Sequence, residues 1–392
     1  MLELGTFVMV PSAATVLADF GADVIKVEHP ITGDPARGRV GGNAGAKQGE
    51  VSLFVEQTNR GKRSVGLDIA VPEAREALYK LASTCDVFMT SFLPPARQKY
   101  LIDVEHIREH NPRIIYASAD AVGVKGPESG KPGFDFSVFW ARSGFQSAVT
   151  GPGDKPPVGP RPGFGDKTSA MNLAFGVAAA LLRRERTGEP AVIDVSLLGS
   201  ALWSNSSDVA YSAGMGSDFS ARPAPRSPTG TAYRTADGRW IQLTMPDADR
   251  WWPDLCRHLG RDDLLADERF STNAGRAANA EVCVAEMAKT FESRTLAEWR
   301  ERFVTLRAPW EAVQNPYEVA SDPQVVANGY VADVKHPSRQ VVTLVRPPVQ
   351  FDGVPPELGS APDIAEHTDE VLLEAGYGAD DLARLRASGA LG

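Results

Sequence analysis

Cysteine is scarce in this chain. Cys85, Cys256 and Cys283 are the three present in 392 residues, they lie far apart, and no CxxC occurs. A disulfide framework and the common zinc sites are thereby excluded, and a reducing cytoplasm is the expected location. Histidine is scarce too, with six scattered copies. His106 and His110 stand four apart without the acid of an HExxH motif, so they read as surface residues. No GxSxG segment occurs, and no Ser-His-Asp set is suggested. Positive charge is outweighed: 41 Lys and Arg face 50 Asp and Glu, a net charge of -9. That balance argues against a nucleic-acid partner, because neutralising phosphates supplies most of the affinity in such proteins. Long apolar runs are missing as well. The most apolar stretch, "LAFGVAAALL", is too short to span a bilayer. The N-terminal stretch carries Glu3, Pro11 and Asp19 and no basic n-region, so it does not read as a signal peptide.

What is present is ordinary globular composition, 43% apolar and 23% charged, at a length that predicts two domains or more. The first third alternates strands and helices. "LELGTFVMV" reads as a buried strand, "PSAATVLADF" as a helix, "VIKVEH" as a second strand, "RSVGLDI" as a third and "PEAREALYKLAST" as an amphipathic helix. "CDVFMTSF", "RIIYASADAVG" and "AVIDVSLL" continue the series. Such spacing predicts an α/β fold with a parallel sheet. A Gly/Pro-rich region spans 123 to 166 around the apolar, helical "FSVFWARSGFQSAV". The long helix after it is apolar nearly all round, which predicts burial. A polar Gly/Ser/Pro linker then leads to a hairpin at Asp237-Gly238 and further helices. The expected organisation is a large domain over 1–205, a smaller α/β domain over 206–325, and a C-terminal segment, 326–392, returning to the large domain.

A parallel sheet suggests a dinucleotide fold, and Glu28 ends the second strand where a ribose-binding acid would stand. The first turn, "VMVPSAAT", lacks the glycines that let backbone approach a pyrophosphate, which argues against NAD. "NRGKRS" at 59–64 is basic and leads into a strand. It reads either as a solvated turn or, through Lys62 and Arg63, as a phosphate contact. Asp166, in "GFGDKTSAMN", has two readings that stay open. It can be the N-cap of the long helix. It can also be a carboxylate nucleophile, kept ionised by the helix N-terminus and approachable through the glycine-rich "GPRPGFG".

Several segments together, in order along nearly the whole chain, resemble the class III CoA-transferases, the CaiB/BaiF family. They are "LADFGADVIKVEHP…GDPAR", "NRGKRSVGLD", "NPRIIYASADAVG", "GKPGFD", "GDKTSAMNLAFGVAAALLRRERTG" and "EHTDEVL". The resemblance implies a Rossmann-like large domain, a smaller α/β domain and an interlocked homodimer, with the pocket between the large domain of one chain and the small domain of its partner. It implies CoA transfer from an acyl-CoA to a free carboxylic acid, with CoA as substrate and no permanently bound cofactor or metal. Asp166 would be the nucleophile, carrying first an acyl anhydride and then a CoA thioester, with backbone N–H groups near the glycines stabilising the oxyanions. His29 would lie near the adenine, and Leu67 would line the nucleotide pocket. Phe92 is kept from the family's Asn-Phe pair, whose Asn is Ser91 here. Arg97 or Lys99 would pair with CoA phosphates. Asp135 matches an acidic or polar active-site position, and Arg37 is the motif residue of "GDPAR". The chain starts inside the first family strand, which implies a few residues ahead of Met1.

Some positions depart from the family pattern. Val8 replaces a Gln of formyl-CoA transferase, "KTSA" replaces its "SNSG" after the nucleophile, and its glycine-rich lid is not evident in 215 to 230. Formate and oxalate are therefore unexpected as substrates. Val8 with Phe134, Phe136, Phe139 and Trp140 suggests a bulkier apolar acyl group. The α-methylacyl-CoA racemases share the fold and use a His in "GHD". The matching triplet here is Gly133-Phe134-Asp135, and phenylalanine cannot be a general base. A non-catalytic CoA-binding protein is the third reading, against which the intact Asp166 speaks.

Overall fold

The computed structural model describes residues 1–38, 47–48, 51–153, 156–219, 227–338 and 340–391. Residues 220–226 of the expected linker lie outside these. The chain forms two compact units, Met1–Arg222 with Gln324–Gly392, and Pro223–Pro323. The second division falls at 323, where the sequence reading put 325, but the first falls at 222 rather than 205, because the helix Ser206–Met215 stays with the first unit.

Six parallel strands build the first unit: Leu2–Leu4, Ile25–Glu28, Arg63–Gly66, Val87–Thr90, Ile115–Asp120 and Val192–Ser196. Numbered along the chain, their order across the sheet is 3-2-1-4-5-6. This is the Rossmann order, and the order of strands reverses between the first and fourth strands, where a crevice opens at the carboxyl ends. Alternation along a strand feeds two cores. Val87 and Met89 join the helices Met9–Asp19 and Phe164–Thr187 on one face. Phe88 joins Leu78 of the helix Pro72–Thr84 and Leu372 and Leu385 of the C-terminal helices on the other.

The apolar run Leu2–Val10 is not one strand. The strand stops at Leu4 and the helix starts at Met9, two residues before Pro11. Phe7 between them takes a left-handed φ of 65°. The long helix, expected to be buried all round, is buried on one face only. Leu173 and Val177 are fully covered, whereas Phe175 is 75% exposed. Arg184 in its last turn and Gly188 at φ 76° end it as read. Among the described residues no helix is long and apolar enough to cross a membrane.

The second unit carries a three-stranded antiparallel sheet, with Trp240–Leu243 between Ala232–Arg234 and Trp310–Ala312. Tyr233, Trp252, Phe291 and Trp299 form its core with the surrounding helices.

Candidate active site

The loop Gly5–Val8, leaving the first strand at the switch point, separates two cavities. One, of about 220 Å³, is lined by Asp166 with Val8, Met9, Ser91, Asp120 and Phe134. The other, of about 280 Å³, is lined by His29, Gly33, Leu67, Asp68, Phe92 and Tyr100. Thr6 lines both. Both lie where strand ends meet loops, as ligands do in open α/β sheets.

Buried charge holds this loop. Lys26 Nζ donates to Glu3 Oε1 at 2.9 Å, to Asp34 Oδ2 at 3.0 Å and to the Gly5 carbonyl at 2.9 Å. Asp34 Oδ1 in turn accepts the Phe7 N–H at 3.1 Å, and Ser91 Oγ accepts the Thr6 N–H at 2.9 Å. Lys62 Nζ pairs with Glu3 Oε2 at 2.6 Å, and all of these charged side chains are buried. "NRGKRS" is therefore neither a solvated turn nor a phosphate contact at Lys62. Arg63 forks onto Asp23 and also reaches Glu374.

Asp166 is not the helix cap. Gly163, at φ 79°, stands at that position, and Asp166 is the third residue of the helix with no capping bond from its side chain. Asp135 does the capping from 30 residues away: its Oδ1 accepts the Gly165 N–H at 3.1 Å. The expectation that the helix end keeps Asp166 ionised also fails. Burial pushes its carboxyl up to about 7, the Asp135 carboxylate adds to the rise, and the Lys167 ammonium opposes it. Burial likewise pushes Asp135 up to about 6, against the backbone N–H groups of Gly165, Gly163 and Phe164.

Gly165 is the tight point of this assembly. A Cβ there would sit 2.6 Å from Phe139 Cβ and also meet Phe139 Cγ and Asp135 Oδ1. Gly165→Ala is expected to destabilise the protein by about 1–3 kcal/mol and to misplace Asp166, so that kcat falls in protein that still folds. Thermal melts and steady-state kinetics check both.

The model of CoA-transferase family III matches residues 1–368. The chain belongs to that family. It is 31% identical over 391 residues to (R)-2-hydroxy-4-methylpentanoate CoA-transferase of Clostridioides difficile, covering 99% of this chain and 97% of that one. It is 30% identical to cinnamoyl-CoA:phenyllactate CoA-transferase of Clostridium sporogenes, covering 98% and 94%. A CaiB/BaiF family protein from Brucella suis superimposes with a TM-score of 0.83 at 26% identity, over 95% of this chain and 97% of that one. The protein is thus an enzyme of the CoA-transferase class, and acyl-CoA thioesters with carboxylates are the substrates that fit it.

In this family III CoA-transferase, three of the expected CoA positions gather around one cavity: His29, Leu67 and Phe92. His29 Nδ1 accepts the N–H groups of Ile31 and Thr32, each at 3.2 Å, which leaves Nε2–H as the donor. Lys99 is exposed at its edge, over the ring of the cavity-lining Tyr100 at 4.9 Å. Arg97 is buried, 3.5 Å from Asp103, and does not line the cavity. Arg37 does not line it either. It forks onto Glu28 at 2.8 and 2.7 Å and donates to the Pro362 carbonyl, so its charge is spent inside the fold. Glu28 accepts from Arg37, Ser64 and the Asp34 N–H, which removes it as a ribose acid.

The aromatic cluster divides. Phe139 and Trp140 are core, Phe136 is exposed, and only Phe134 lines the Asp166 cavity, with its ring edge-on to Phe7 at 5.7 Å. Of the first-turn amides expected as oxyanion donors, those of Phe164, Gly165 and Lys167 already donate within the fold. Sequence reading missed Asp120. It ends the fifth strand in the same cavity, and burial raises its carboxyl as well. A carboxylate at the carboxyl end of a central strand was the available signal.

Proposed function

We propose that the enzyme moves CoA from an acyl-CoA to a free carboxylic acid through covalent intermediates on Asp166. The observation that carries this is Asp166 lining a cavity that shares the Thr6 wall with the His29, Leu67 and Phe92 cavity. A CoA nucleotide in the latter would run its pantetheine arm past Thr6 to the carboxylate. The Asp166 carboxylate attacks the thioester carbonyl, the C–S bond breaks, and CoA leaves as thiolate. The thiolate attacks the aspartyl carbonyl of the resulting anhydride and releases the donor acid as carboxylate. The acceptor carboxylate attacks the aspartyl-CoA thioester and frees the thiolate again. Attack on the acceptor acyl carbonyl then gives the new acyl-CoA and restores Asp166.

The apolar lining, Val8, Met9, Leu93, Phe134 and Leu197, supports an acid with a compact apolar tail. The two relatives above are named for such acids, 2-hydroxy-4-methylpentanoate and phenyllactate. A homodimer is part of the proposal, supported by apolar surface that a single chain leaves open, with Trp203 78% and Phe175 75% exposed. The racemase reading lacks its base, since Phe134 stands at the His position.

Incubating α-deuterated acyl-CoAs with a panel of free acids tests the reading. New acyl-CoA with deuterium retained is expected. Loss of deuterium without exchange would replace it with the racemase. The pH profile adds a second check. The nucleophile must be ionised, so kcat/KM is expected to fall as pH drops through about 7, where burial has pushed the Asp166 carboxyl. A plateau extending to pH values near the ordinary carboxylate range would contradict it.

A further inference from the structure

Asp166 and Lys167, adjacent in the chain, line different cavities. Lys167 lines one of about 410 Å³, within the range of small-molecule sites. Its walls are largely apolar, from Val16, Ala170, Met171, Val345 and Pro347. Three cations line it, and one of them, Arg346, donates to the Pro356, Gly329 and Val331 carbonyls. The Gln57 carbonyl accepts from Lys167 Nζ and from Arg60 Nη1, both at 3.3 Å. Arg60 is matched by Asp19, 2.7 Å away. Among the described residues no carboxylate pairs with the Lys167 ammonium. Ser12 lines the same cavity, is 3% exposed, and its Oγ has no hydrogen-bond partner among the described residues.

A half-buried cation without a counterion is costly, and so is a buried hydroxyl left unpaired. The cavity holds both, with apolar surface around them, while Arg60 is held by Asp19 and Arg346 by three backbone carbonyls. We propose that it is a second ligand site, binding a monocarboxylate with a short apolar tail, the carboxylate on Lys167 and Ser12 and the tail against Val16, Met171 and Pro347. Lys167 and Ser12 together offer donors for one carboxylate, and the apolar walls suit a tail rather than further charge. Burial, with the charges of Arg60 and Lys62, brings the Lys167 ammonium down to about 7, and a bound carboxylate would restore it. The restored charge would in turn favour ionised Asp166. The site itself does not depend on the reaction proposed above.

Calorimetric titration with hexanoate, and with hexanamide as its neutral counterpart, tests this. The full chain is expected to bind hexanoate and to bind hexanamide at least about tenfold more weakly. Lys167→Met, which removes the charge, and Met171→Trp, which fills the cavity, should each abolish one binding event that Lys167→Arg retains. Circular dichroism establishes that the variants fold. Absence of hexanoate binding to the wild type, equal binding of hexanamide, or survival of every binding event in both folded variants would overturn the proposal.

Discussion

Asp166→Asn is expected to lower the rate of CoA exchange by on the order of 10⁴-fold or more, the scale at which removing a nucleophile acts. The amide keeps the shape of the side chain but forms neither anhydride nor thioester. The same change should stabilise the protein above neutral pH. The Asp166 carboxyl is raised from 3.8 to about 7, mainly by burial. A raised carboxyl contributes stability that is fully present below its unfolded value and is lost as pH rises through the folded one. At pH 8 the wild type therefore holds a disfavoured charge that asparagine lacks. Melting temperatures of the two proteins should separate in favour of the variant as pH rises from about 4 to about 7, and stay apart above that. An inactive variant with the opposite pH trend would mean that Asp166 is not held in the buried state described.

The second large effect is on stability. Glu3→Leu is expected to destabilise the first unit by about 3–5 kcal/mol, because it strands Lys62 and weakens the hold on Lys26 in a buried site. Glu3, Asp34 and Glu28 keep the Lys26 ammonium charged against the burial that opposes it, while burial draws Lys62 down to about 8. Adding Lys62→Met should recover part of the loss, since apolar replacement of a buried pair is often near neutral. Urea denaturation of the single and double variants measures both. Equal stability of Glu3→Leu and wild type would remove the network as the support of the Thr6–Val8 loop.

Much of this was legible because it is local. Pro72 opens its helix, Gly188 closes another, and alternation along Val87–Thr90 feeds two cores. The family segments are contiguous, and so are the stretches containing Asp166, His29 and Leu67. What was misread depends on partners distant in sequence. Asp135 caps a helix 30 residues on, and its carboxylate raises Asp166. Lys62 looked like a surface cation because its partner, Glu3, is 59 positions earlier, facing it from the first strand. Arg37 stood only as a motif residue because its partner, the Pro362 carbonyl, lies at the other end of the chain. The side of the helix on which Lys167 emerges also needed the packed structure.

The most direct measurement is mass spectrometry of the enzyme after incubation with an acyl-CoA and quenching with borohydride. A CoA thioester on Asp166 would be reduced to homoserine at that position. Homoserine is expected at residue 166 only when acyl-CoA is present, with no reduction in Asp166→Asn. Catalytic exchange of CoA with residue 166 unmodified, or with the reduced residue elsewhere, would contradict it.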